Sequence, residues 1–158
     1  MLVFRKGIKC QMNNLPQINL AKDEREVRQC SPVLRELRPH IESEDEFVRR
    51  WHRQRGQGYQ IAYVRGEDRV VAAAGYRFLT TMAWGHILYI DDLVATELSQ
   101  GKGLGTLLLR FLQKAARDRG CAAVRLDTGY QRHRAHRAYL RNGFLIHCHH
   151  MSWQVLRD

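Results

Sequence analysis

Three apolar runs, YQIAYV (59–64), RVVAAAGYRFLT (69–80) and HILYIDDLVA (86–95), follow one another with only RGED and MAWG near the joints. Runs joined by so few residues can pair with their neighbours only by reversing direction, which predicts an antiparallel meander. The helix-forming run GLGTLLLRFLQKAARDRG (103–120) then precedes a further strand, AAVRLDTG (122–129). A helix placed between two strands of one sheet is the mark of a crossover to parallel pairing. A chain bound by both requirements folds as a mixed α/β (α+β) domain, with a mostly antiparallel sheet that contains a parallel step.

Upstream, QINLA (17–21) reads as a short strand, with Asp23 placed to cap a helix over EREVRQCSPVLREL. Pro32 is expected to break or restart that helix. ESEDEFVRRWHRQ (42–54) is a second helix, acidic at its start and basic later, as the helix dipole prefers. Downstream, RHRAHRAYLRNG (132–143) reads as a short helix with a terminal glycine, and FLIHCHHMSWQVL (144–156) as a final strand. The expected order is therefore β-α-α-β-β-β-α-β-α-β. A length of 158 residues suits one domain, taken as 17–158, behind a tail at 1–16.

The four cysteines stand singly, without a C-x-x-C pair, and read as reduced thiols of a cytosolic protein. No apolar stretch approaches the length of a membrane span, so no membrane is expected. The formal charge of +10 fits nucleic acid, an anionic cofactor or a basic surface. The basic helix RHRAHRAYLR lacks interleaved base-stacking aromatics, which disfavours nucleic acid.

The chemistry-bearing feature is SQGKGLGTLLLRFL (99–112). It is not a Walker loop, since Lys102 lies between glycines, and its G-x-G-x-G spacing is not the dinucleotide fingerprint. Glycines before a helix either form a plain flexible connection or bring bare N–H groups to an anion. Asp91 and Asp92 close the strand before the loop: either they supply a base, or they cap a turn or pair with arginines. Alternation along a strand puts them on opposite faces unless a bulge intervenes.

Gln100-Gly101-Lys102-Gly103-Leu104-Gly105 matches the Q/R-x-x-G-x-G/A signature of the GNAT superfamily of N-acetyltransferases, which the chain resembles. The preceding LYIDDLVATELSQ and the downstream AYLRNGF are similar to the family's acidic strand end and its Y-x-x-x-G-F segment. The resemblance implies a GNAT-like acyl-CoA N-acyltransferase fold, with a central twisted sheet, a parallel pair splayed at the cofactor and helices on both faces. It implies transfer of acetyl from acetyl-CoA, as cosubstrate, directly to a primary amine of a small molecule, peptide or protein. The alternatives are a non-catalytic acyl-CoA-binding or sensor module and, less favoured, a nucleic-acid-binding protein.

By the same resemblance, backbone groups of Gln100, Gly101, Lys102, Gly103, Leu104 and Gly105 cradle the pyrophosphate, with the Thr106 hydroxyl as a further donor. Leu93, Val94 and Ala95 offer strand-edge groups to the pantetheine arm. Tyr139 stands at the position of the general acid that protonates the departing thiolate. Without the motif it would read as a core tyrosine. Asp91 is favoured as the base and Asp92 as a substrate contact. Arg132 departs from the family's usual Asn seven residues before the tyrosine, and is assigned to a coenzyme A phosphate. His147 and His149 share a strand face at metal-ligand spacing without a third ligand, so no metal is expected. Trp84, His86 and Tyr89 are candidates for the acceptor pocket, and a homodimer is left open.

Overall fold

The structure is a computed structural model that describes residues 16–155. The sheet holds five strands, β1 (Ile18–Leu20), β2 (Gln60–Arg65), β3 (Val70–Thr81), β4 (Gly85–Ala95) and β5 (Ala123–Leu126), in the order of the chain. Pairing is antiparallel from β1 to β4 and parallel between β4 and β5. The helices are α1 (Glu24–Leu37), α2 (Glu44–Arg55), α3 (Leu104–Asp118) and α4 (His133–Arg141), with a 3-10 turn at Glu97–Ser99. Meander and crossover thus both form as the sequence predicts. The tail expected over 1–16 lies, apart from Pro16, outside the described residues.

Alternation along the central strands sends side chains to two separate cores. Ile61, Tyr63 and Ala73 pack with Val27, Cys30, Leu34, Phe47 and Trp51 of α1 and α2. Ala62, Val64, Ala72 and Ala74 pack with Leu104, Leu108, Leu109 and Leu112 of α3, against which Tyr139 and Phe144 also lie. With both faces covered, the middle strands carry continuous apolar runs, Ile61 to Val64 and Val70 to Ala74, as a sheet buried on both faces does.

Two expectations fail. Pro32 lies inside a continuous α1. Its ring is on the exposed side while Val27, Cys30, Val33 and Leu34 are fully buried, so the hydrogen bond it removes faces water and packing of the inner stripe outweighs a cost of about 3 kcal/mol. The final strand does not form: residues 144–155 are extended chain without a ladder partner. Leu145, Met151, Trp153 and Val155 alternate as a strand would, yet all are exposed. Alternation supplies a face but no neighbour, and the segment is fastened by a side chain instead, His150 Nδ1 standing 3.0 Å from Asp127 Oδ2.

Candidate active site

The parallel seam between β4 and β5 runs only from Ile87↔Ala123 to Ile90↔Leu126, whereas β4 continues to Ala95. Beyond Ile90 the strands part. Leu93, Val94 and Ala95 pair with Ala74, Ala73 and Ala72 of β3, and their other edge is unpaired. That opening leads to the glycine loop.

Gly101 and Gly103 both have φ of +80°, and Gly103 is the N-cap of α3. The left-handed turn, which glycine alone adopts readily, lets the chain enter the helix with its first amides turned outward. Gly103, Leu104, Gly105 and Thr106 donate to no acceptor among the described residues, and a Cβ on Gly101, Gly103 or Gly105 would meet nothing within 4 Å. The space above the loop is open, its amides are bare and the helix dipole favours negative charge there, so the loop fits a diphosphate. Gln100 and Lys102 are exposed beside it, and Gln100 Oε1 lies 3.4 Å from Arg134 Nη1 of α4. The Thr106 hydroxyl accepts from Asn142 Nδ2 at 3.3 Å, which leaves its proton available. Arg132 is exposed at the N-cap of α4.

Tyr139, on the inner side of α4, packs against Phe144 with ring centroids 5.7 Å apart. Burial pushes its phenol above the ordinary value, opposed by the charge of Arg132. The group therefore stays protonated at neutral pH, as an acid must.

On the other side of the parting strands a cleft of about 1220 Å³ opens between α1, α2, β4, the β5–α4 connection and residues 146–150. Asp91 and Asp92 both line it. The register explains how: Gly75 pairs with Asp92 and Tyr76 with Ile90, so Asp91 is the extra residue of a β-bulge. Arg77 grips both Asp91 oxygens, Nη2 to Oδ1 at 2.7 Å and Nε to Oδ2 at 2.9 Å. Arg38 Nε donates to Asp92 Oδ1 at 2.8 Å and the Tyr59 hydroxyl to Asp92 Oδ2 at 2.7 Å. The arginine pairing considered as an alternative at sequence level is therefore present. Burial raises the Asp91 carboxyl above its usual range, with Arg77 pulling it back.

The glycine loop and Tyr139 do not line this cleft, although His136, one turn before Tyr139, does. Of the aromatic candidates, Tyr89 lines the cleft, while Trp84 lies under Arg125 at 4.0 Å and His86 stacks on Phe78. In the acidic run 42–46, Glu44 and Asp45 pair with Arg28 and Glu46 with Arg50. Among the described residues no cluster of three or more metal-ligating side chains occurs.

Three residues that matter here escape a reading of the sequence. Tyr59 is buried on Asp92, and a Cβ on Gly75 would stand 1.9 Å from the Tyr59 oxygen, so the glycine exists to admit the phenol. Asp127, just beyond β5, accepts from the Tyr89 hydroxyl at 2.6 Å. Its place inside the predicted strand end AAVRLDTG, opposite the acidic pair across a parallel seam, was the only available signal.

Comparison with known proteins agrees with this geometry. The profile of the acetyltransferase (GNAT) family matches residues 24–144. The uncharacterized N-acetyltransferase YhdJ of Bacillus subtilis (strain 168) is 31% identical over 116 residues, 73% of this chain and 82% of that protein. Streptothricin acetyltransferase of Streptomyces lavendulae is 34% identical over 71 residues, 45% of this chain and 38% of that protein. Among solved structures, an acetyltransferase of Trypanosoma brucei superposes with a TM-score of 0.71 at 22% identity, covering 88% of this chain and 100% of that one. The aminoglycoside N-acetyltransferase AAC(6')-Iy in complex with CoA gives 0.74 at 8% identity, covering 91% and 98%, a likeness of fold alone. No helix among the described residues is long and apolar enough to cross a membrane. A matched profile over most of the chain, a relative above 30% identity and the parted parallel strands together place this chain in the GNAT acetyltransferase family.

Proposed function

We propose that the chain transfers an acetyl group from acetyl-CoA directly to a primary amine. The observation that carries this reading is the array of unpartnered amides at the start of α3, beside a strand edge left open where β4 and β5 part. Gln100, Gly101, Lys102, Gly103, Leu104, Gly105 and Thr106 hold the pyrophosphate, with Arg132 and Lys102 as mobile positive charges near it. Leu93, Val94 and Ala95 pair with the pantetheine arm. Acetyl-CoA, when bound, supplies an acyl group activated as a thioester.

The remaining chemistry belongs to the chain. Tyr139 gives its proton to the departing sulfur, and burial keeps that proton in place until it is needed. Asp91 and Asp92 face the amine with the lone pairs their arginine and tyrosine partners leave unused, and orient it. Asp91, the expected base, has a carboxyl raised by burial, but Arg77 occupies both of its oxygens, which favours it as an orienting group over a proton acceptor.

The acceptor is a primary amine on a small molecule or a peptide. The names of two similar proteins, a streptothricin acetyltransferase and an aminoglycoside N-acetyltransferase, make those amines natural first probes. Calorimetric titration with coenzyme A and acetyl-CoA tests the donor, and release of free thiol in the presence of streptothricin, kanamycin, tyramine or lysine tests the acceptor. Absence of binding heat with both donors would overturn the reading.

A further inference from the structure

Of the three carboxylates on the inner wall of the cleft, two are tied to groups that hold charge permanently or are sealed in the core. Asp91 is forked by Arg77, and Asp92 is shared by Arg38 and the buried Tyr59. Asp127 differs. Its Oδ2 receives the Tyr89 hydroxyl at 2.6 Å and stands 3.0 Å from His150 Nδ1. Both Asp127 and His150 line the cleft, and each is partly exposed to it, at 46% and 70% of the side chain. Next to Asp127 the Thr128 hydroxyl is buried without a partner, a polar atom left for something that enters.

We propose that His150, held through Nδ1 by Asp127, is the base that takes the proton from the acceptor amine. The inference rests on the acetyl-transfer reading above. Imidazole is the side chain that exchanges a proton most readily near neutrality, and an Asp on one ring nitrogen fixes the ring and stabilises the cation formed when the other accepts. The balance is simple. An N–H bond of the substrate ammonium breaks, its electron pair stays on nitrogen for the attack, and the proton moves to Nε2. The imidazolium then returns that proton to water through the open cleft. Tyr89 and Asp127 act as positioning residues, since Tyr89 fixes the carboxylate that fixes the ring.

This makes the otherwise idle end of the chain functional. Residues 144–155, which form no strand, bring an imidazole to the mouth of the parted strands. Besides Asp127, Tyr89 and His150, the charged and titratable groups that share the cleft are Asp91 and Asp92 of β4, Tyr59 before β2, Tyr130 and His136 around the start of α4, Cys148 and His149 of the last segment, Arg38 and His40 after α1, and Glu46, Arg50 and Arg53 of α2; His149 has no carboxylate partner among the described residues, which sets His150 apart from it. Glu46 is neutralised by Arg50, and the His136 ring is engaged with the Gly129 carbonyl at 3.0 Å, so neither competes with His150 for the amine.

The test compares His150→Ala, Asp127→Asn and Asp91→Asn in the full-length chain. His150→Ala should lower kcat at pH 7 by about 100-fold, shift the rising limb of the kcat profile to higher pH and recover part of its rate with added imidazole. The KM for acetyl-CoA should stay within about twofold of the parent, because the donor side is untouched. Asp127→Asn should lower kcat by about 10-fold and displace the imidazole nitrogen resonances of His150 in the NMR spectrum. A parent-like kcat profile in His150→Ala, or unmoved His150 resonances in Asp127→Asn, would overturn the proposal. So would loss of the rising limb in Asp91→Asn alone. Failure of the parent to bind acetyl-CoA would instead sink the acetyl-transfer reading, and the resonance measurement would still report on the pair.

Discussion

The glycine loop and the cleft lined by Asp91 and Asp92 are built on opposite plans. The loop is bare: the amides of Gly103 to Thr106 have no acceptors among the described residues, its glycines have open space where side chains would be, and Gln100 and Lys102 are exposed. The cleft is crowded: Asp91 is forked by Arg77 of β3, and Asp92 is held by Arg38 at the C-cap of α1 and by Tyr59 just before β2. A site for a diphosphate needs unspent donors that a ligand can satisfy. A site for an amine needs carboxylates whose positions are fixed before the substrate arrives. The loop's contribution is therefore realised only with ligand bound, whereas the cleft's is already part of the fold.

That contrast can be broken by substitution. The largest expected effect is at Tyr139, the proposed acid: Tyr139→Phe should lower kcat by about 100-fold or more, as loss of a general acid does, with acetyl-CoA affinity nearly unchanged. Steady-state kinetics and calorimetry on the same variant check both halves. Next, Gly103→Val places a β-branched residue at φ of +80°, a conformation it resists. Coenzyme A affinity should fall by about 10- to 100-fold while the urea midpoint moves little, because the loop can relax into solvent.

Gly75→Ala should behave in the reverse sense. Its Cβ would stand 1.9 Å from the Tyr59 oxygen, so the buried phenol must move off Asp92. Stability in urea should drop by about 1–3 kcal/mol with coenzyme A affinity retained. A loop variant that unfolds the protein, or a Gly75 variant that leaves stability intact, would collapse the distinction.

The smallest effect sharpens the comparison through pH. Burial on the inner face of α1 pushes the Cys30 thiol up to about 12. The folded chain keeps that proton while the unfolded chain releases it near ~8.5, so the stability it contributes is complete below that pH and is lost as pH rises toward the folded value. Between pH 8 and 9 the parent should lose about 0.7 kcal/mol that Cys30→Ala does not, as urea titrations at the two pH values would record. The loop, having no comparable buried acid, adds nothing to this slope.

What was legible in the sequence follows the same division. The glycine loop is local: every residue that shapes it lies between Gln100 and Thr106, and its left-handed turns are readable from glycine positions alone. The meander and the crossover are likewise fixed by connector lengths and by periodicity. The cleft is not local. Arg38 is 54 residues from Asp92 and Tyr59 is 33, and nothing in either neighbourhood announces the contact. Only a sheet that brings them together reveals that Asp91 and Asp92 are already engaged. Pro32 and the last segment fail for a related reason. Local rules grade a helix interior and a strand face, but whether a lost hydrogen bond meets water, or an apolar face meets a neighbour, is decided by the rest of the molecule.

The short seam between β4 and β5 carries a mechanical consequence. Only four register pairs join β5 to the meander, so with α3 and the packing beneath it they are the chief tether of the chain from β5 through α4. Such an attachment should breathe as a unit, exchanging the amides of β5 and α4 with solvent deuterium faster than those of β2 and β3. A pantetheine arm wedged where the strands divide would add rungs of its own, and donor binding should then slow that exchange through β5 and α4, far from any atom it touches.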